Sequence, residues 1–138
     1  KRRTYRQKKQ TEKRQKKTFR LMKESITPKE RIRKKREFSL IYKKGNRYRG
    51  KYFIIIYLPN GGSQSRLAVV AGKKIGNAVK RNKAKRWIKA LYRRNKNLLE
   101  DSTDLIFIAK ENIFKAPWKN LQKDYAKAIE HINQKQSM

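Results

Sequence analysis

Apolar residues recur in this chain at two alternating spacings, every three to four positions and in short continuous runs, after an opening stretch that shows neither. Residues 1–23 are polar and basic, with Tyr5, Phe19, Leu21 and Met22 as their only bulky apolar side chains. That is too little to offset the entropy of ordering, so 1–23 reads as a disordered basic extension, able to become helical against RNA. The foldable part, 24–138, reads as one domain. Thr27-Pro28-Lys29-Glu30 has the spacing of a capping box with proline at the first helical position. Phe38, Ile41 and Tyr42, three and four apart, predict a helix over about 34–44, with Gly45 as its stop. The run KYFIIIYL at 51–58 predicts a buried strand, and Pro59 to Ser63 is a turn cluster. A second strand at 65–71 would then close a hairpin with the first. Val79, Ala84, Ile88 and Leu91 mark the buried face of a helix over about 78–96, with Asn77 as its N-cap. TDLIFIA at 103–109 predicts another strand. Pro117 opens a last helix carrying Trp118, Leu121, Tyr125, Ile129 and Ile132 at helical spacing. With an edge strand near Tyr48, the order is α-β-β-β-α-β-α: an α+β two-layer sandwich, a small mixed sheet with helices packed on it, of the kind seen in ribosomal proteins.

Charge changes this picture from a fold to a binding protein. A net charge of +31 on 138 residues repels itself in the compact state, and a polyanion is the partner that relieves it. The 36% apolar content supports one modest core. The chain has no cysteine, which excludes disulfides and thiolate metal sites. No apolar run nears the roughly 18 residues of a membrane span, and the basic start lacks the apolar centre of a signal peptide. A cytoplasmic protein is expected, without a membrane.

Candidate chemistry points the same way. His131 is the only histidine, flanked on its helix by Ile129 and Ile132, and suits a helix boundary better than a catalytic role. Asp101 and Asp104 lie close in sequence, yet the ten acids are otherwise scattered, whereas a two-metal nuclease needs them clustered. Gly72 to Gly76 lacks the spacing of a phosphate-binding P-loop. No catalytic or metal-ligating constellation is present. In contrast, Lys80, Arg81, Lys83, Lys85, Arg86 and Lys89 crowd one helix, and no carboxylate occurs between Glu37 and Glu100. Such a helix can grip phosphates along its length. Asn77 and Asn82 add neutral donors and acceptors suited to sugar hydroxyls or base edges. Phe38 and Tyr42 either pack in the core or stack under unpaired bases.

The stretch GKKIGNAVKRNKAKRWIKALYRR, from Gly72 to Arg94, resembles the signature of the bacterial ribonuclease P protein subunit: a lysine pair, Ile-Gly, Ala-Val, Arg-Asn and Lys-Arg. REFSLIYKKG, from Arg36 to Gly45, is similar to that family's first helix. The resemblance spans roughly 26–132. It implies an accessory subunit with no active site of its own, working with a catalytic RNA that cuts precursor tRNA to mature its 5′ end. It also implies Mg2+ held mainly by that RNA, no cofactor on the protein and no obligate protein partner. Carried over, Phe38, Tyr42, Lys73, Lys74, Arg81 and Asn82 would line or flank a cleft for the 5′ leader. Lys83, Lys85, Arg86 and Lys89 would face the RNA subunit. An unusual left-handed crossover through the basic helix is implied as well. The sequence departs from the family at Lys83, where an arginine is usual, at Gly72 in place of a serine, and at Ile56, where some members carry a cleft aromatic. Composition alone equally allows a structural rRNA-binding protein, and less readily a metal-dependent nuclease.

Overall fold

The structure is a computed structural model that describes residues 26–136; the basic extension 1–23 lies outside them. Helix α1 spans Lys35–Lys44, strands β1, β2 and β3 span Asn46–Arg49, Phe53–Pro59 and Arg66–Val70, helix α2 spans Ala78–Arg94, β4 spans Thr103–Ala109 and α3 spans Trp118–Gln136. Element order therefore follows the periodicity. Thr27 to Glu30 forms only one 3-10 turn, Pro28–Glu30, closed where the Glu30 carboxylate accepts from the Thr27 N–H at 3.2 Å and hydroxyl at 3.1 Å.

The strands assemble differently from the hairpin that the turn cluster suggested. Their order is β1-β2-β4-β3, so β2 and β3 never pair. β4 lies between them, antiparallel to β2 and parallel to β3. The cause is burial: Asp104 to Phe107 are all buried, and a strand covered on both faces belongs at the centre of a sheet. The connection after Pro59 is long enough to cross two strand spacings, about 10 Å. Asn60 anchors it, its Oδ1 accepting from Gly62 N–H at 2.7 Å and its Nδ2 donating to Asp104 at 2.9 Å. The polar β1, with Tyr48 at its middle, is the predicted edge strand. β3 forms the other edge and is shielded by a bridge from Arg31 to Leu67. α2 carries the crossover from β3 to its parallel neighbour β4.

Side chains alternate across this sheet and divide the core in two. Phe53, Ile55, Tyr57, Leu67, Leu105 and Phe107 face α2 and α3, meeting Ala84, Ile88 and Leu91 from one helix and Leu121, Tyr125 and Ile129 from the other. Ile56 and Ile106 face the opposite side and meet Ile41 of α1. Ile56 and Tyr57 thus point to opposite faces, as their adjacency requires. Gly45 ends α1 by close approach, not by a left-handed turn: its φ is −73°. A Cβ there would lie 2.5 Å from the Ile41 carbonyl oxygen and 3.0 Å from that of Tyr57. His131 is half-buried with its ring centroid 5.1 Å from that of Tyr48, a boundary position as expected.

Candidate nucleic-acid interface

On the α1 side the sheet is only partly covered. α1 packs on β2, and Phe38, Leu58, Ala68, Val70 and Ile108 remain half-buried around the fully buried Ile41, Ile56 and Ile106. The result is an apolar strip with α1 as one wall. Phe38 leans on that strip, whereas Tyr42, one turn further, is exposed. The two predicted aromatics share a helix side but not a depth, because the sheet-facing line of α1 runs through Ile41.

A charged tie sets where that wall stands. Arg66 on β3 donates to Glu37 in the first turn of α1, and through Nε and Nη2 to both oxygens of Asp104 on β4, at 2.9 and 2.7 Å. Asp104 is buried. Neither Asp104 nor Glu37 is therefore available for metal chemistry. Glu30 is likewise engaged, by Lys96 Nζ at 2.9 Å. Burial pushes the Glu30 carboxyl up, but the hydrogen bonds from Lys96 and Thr27 prevail and hold it below the usual glutamate value.

Lys73 and Lys74 occupy a 3-10 turn, Lys73–Ile75, just beyond the Val70 end of the strip, where both are exposed and Ile75 anchors them. Gly76 follows at φ +136°, a conformation that favours glycine. Asn77 then caps α2, its Oδ1 accepting from Lys80 N–H at 3.0 Å, so that oxygen is committed to the helix. On the first turns of α2, Arg81 is half-buried with an Nε that has no hydrogen-bond partner, and Asn82 is exposed.

The four residues expected to face an RNA subunit do not form one surface. Lys85 and Lys89 point toward α1 and, with Arg31, Arg33, Phe38, Ala68 and others, line a cavity of about 200 Å3. Lys83 and Lys85 are about 160° apart around the helix, and the Lys83 ammonium lies over the rings of Trp87 and Phe114 on the opposite flank. Arg86 is exposed. Burial, then the charges of Arg31, Lys85 and Arg93, draws the Lys89 pKa below that of an ordinary lysine. Among the described residues, no cation of α2 is in a salt bridge; the ion pairs use Arg66 and Lys96. Arg31 and Arg33 are not among the residues that the sequence singles out. Their only signal was the run of cations before α1, and its meeting with α2 is a tertiary fact.

The matches to known proteins fall on these same elements. The Ribonuclease P family profile matches residues 26–133, from before the first 3-10 turn to near the end of α3. The chain belongs to the ribonuclease P protein family. The ribonuclease P protein component of Thermotoga maritima is 39% identical over 92 residues, 67% of this chain and 79% of the relative. That of Syntrophomonas wolfei is 35% identical over 100 residues, covering 72% and 84%. The solved ribonuclease P protein of Thermotoga maritima superposes with a TM-score of 0.68 at 31% identity, covering 74% of this chain and 96% of that one. That of Staphylococcus aureus gives 0.65 at 31%, covering 75% and 94%. Membership of the ribonuclease P proteins places the chain in tRNA processing, as the protein part of a ribonucleoprotein, and so gives it an RNA partner. No helix among the described residues is long and apolar enough to cross a membrane.

Proposed function

We propose that this chain binds the catalytic RNA of ribonuclease P through α2 and holds the 5′ leader of precursor tRNA on the half-open strip, promoting 5′-end maturation in the cytoplasm. One observation carries the reading. α2, whose cations are in no salt bridge among the described residues, packs on the other face of the sheet yet sends Lys85 and Lys89 to the cavity that Phe38 also lines, beside the apolar strip walled by α1. Unpaired leader bases would stack on the aromatics while Lys73, Lys74, Arg81 and Asn82 meet leader phosphates and sugars. Lys85, Arg86 and Lys89, with Lys83 on the far flank, would meet the RNA subunit.

Catalysis belongs to the RNA in this reading. Mg2+ would neutralise phosphate charge at the cleaved bond, but the carboxylates Glu30, Glu37 and Asp104 are each held by a cation, and among the described residues no three potential metal ligands come together. The protein's part is to bind and orient substrate, and no step runs through a protein-bound metal.

Reconstitution at low magnesium tests the whole. Protein, catalytic RNA and precursor tRNA together should give 5′ cleavage that neither macromolecule gives alone. Binding without stimulated cleavage would favour a purely structural RNA-binding role, and cleavage by protein alone would show an active site in the chain. Tyr42→Ala should cost about 1–3 kcal/mol in precursor binding, the range of base–aromatic stacking, and leave mature tRNA binding unchanged. Equal losses for both substrates in a folded variant would remove Tyr42 from the leader cleft.

A further inference from the structure

Three aromatic rings meet on the flank of α2 that faces away from the strip. Trp87 of α2 packs edge-to-face against Phe114, centroids 5.2 Å apart, and against Trp118, at 6.3 Å. Phe114 comes from a 3-10 turn, Glu111–Lys115, in which Ile113 is fully buried and so turns its neighbour outward. Pro117 then starts α3 and sets Trp118 four residues on from Phe114. All three rings are half-buried, which is unusual company for a surface this basic. Lys83 Nζ lies 5.2 Å from the Trp87 centroid and 5.5 Å from that of Phe114, and the Arg94 guanidinium carbon lies 5.6 Å from that of Trp118.

We infer that Trp87, Phe114 and Trp118, bracketed by Lys83 and Arg94, form a second stacking site, occupied by an unpaired nucleotide of the RNA subunit. Charge favours this occupant over an apolar protein surface. α2 carries no carboxylate, and the segment from Glu111 to Lys123 sets Lys115, Lys119 and Lys123 against Glu111 alone. The face of a base can stack on the ring face that the lysine ammonium covers, while that ammonium swings to the adjoining phosphate. The cation–π contact, weak at an exposed site, would give way to a charge-assisted hydrogen bond. The leader is not the occupant, because the strip with Phe38 lies on the opposite face of the sheet. This inference rests on the RNA-binding reading above and adds a site, a ligand class and its source.

The chain's two tryptophans are both in this cluster, so emission excited at 295 nm reports on it alone. Filter retention of labelled RNA subunit measures binding independently. The full chain, titrated with RNA subunit, should lose tryptophan emission in step with retention, and precursor tRNA alone should leave it nearly unchanged. Trp118→Phe keeps a ring in place and should preserve the quenching, now reported by Trp87 alone. Trp87→Leu should weaken retention about fivefold to a hundredfold without altering its salt dependence. Lys83→Gln should reduce the slope of log affinity against log salt by a little under one. Unchanged emission at full retention would overturn the site, whether or not Trp87→Leu folds. So would a folded Trp87→Leu variant with native affinity. Equal quenching by precursor tRNA alone would overturn the assigned source. Absence of retention would instead sink the RNA-binding reading on which the site rests.

Discussion

Lys89 shows at the scale of one side chain how this protein trades stability for a partner. It is half-buried among Arg31, Lys85 and Arg93, and its pKa is drawn down by burial first and those charges second. A lysine with a lower pKa in the folded state costs stability while it is charged, and that cost is relieved only as pH rises through the folded value. A phosphate placed beside the ammonium would offset that penalty. Lys89→Met should therefore raise the melting temperature of the free protein while weakening RNA binding, a division that calorimetry and filter retention can each measure. A lower melting temperature would mean that the ammonium has favourable contacts after all. The cations of α2 were plain in the sequence, and so was the absence of balancing acids. Their division between two flanks was legible only in part, since helical spacing separates Lys83 from Lys85 but cannot reveal that Arg31 and Arg33 come to meet one side and aromatics the other.

Among the elements, α1 is the one whose placement decides the strip, and few contacts hold it. Ile41 fills the sheet-facing position, Gly45 allows close approach to β2, and the Arg66 tie joins its first turn to β3 and β4. Arg66→Met would leave buried Asp104 without its cation, at a cost of about 1–3 kcal/mol. Adding Asp104→Asn should restore part of that loss, because the residual charge is gone. Thermal melts of the single and double variants test the coupling. Discrimination of precursor from mature tRNA should suffer more than RNA-subunit binding, since α2 lies on the other layer. Periodicity and apolar runs located the three α-helices and β2, β3 and β4, with edges displaced by a residue or two. β1 was only an optional edge strand near Tyr48, and the 3-10 turns Lys73–Ile75, Lys96–Leu98 and Glu111–Lys115 left no such pattern. Periodicity failed on pairing: a turn cluster between two apolar runs signals a reversal of direction but says nothing of which later strand fills the gap. The burial of Asp104 to Phe107 on both faces was the available hint, visible as an unbroken apolar run after a single acid.

For the whole molecule, charge sets the terms of association. With +31 on the chain and no salt bridge to α2 among the described residues, affinity for the RNA subunit should fall steeply with salt as phosphates shed counterions. A slope near zero across a salt series would contradict the α2 assignment. The sheet itself has a further consequence in time. β4 joins β2 to β3, yet it is the last strand to be synthesised, starting some fifty residues after the start of β2. A nascent chain that has reached only the basic helix cannot have closed its sheet, and its contacts at long sequence separation make folding slow compared with local helix formation. During that interval the polycation is exposed, β3 has no partner strand and β2 is paired only on its β1 side. The ribosome, itself built of RNA, is the first polyanion such a chain meets, and only after β4 and then α3, with Leu121, Tyr125 and Ile129, have left the exit tunnel can the adhesive segment close into a folded domain.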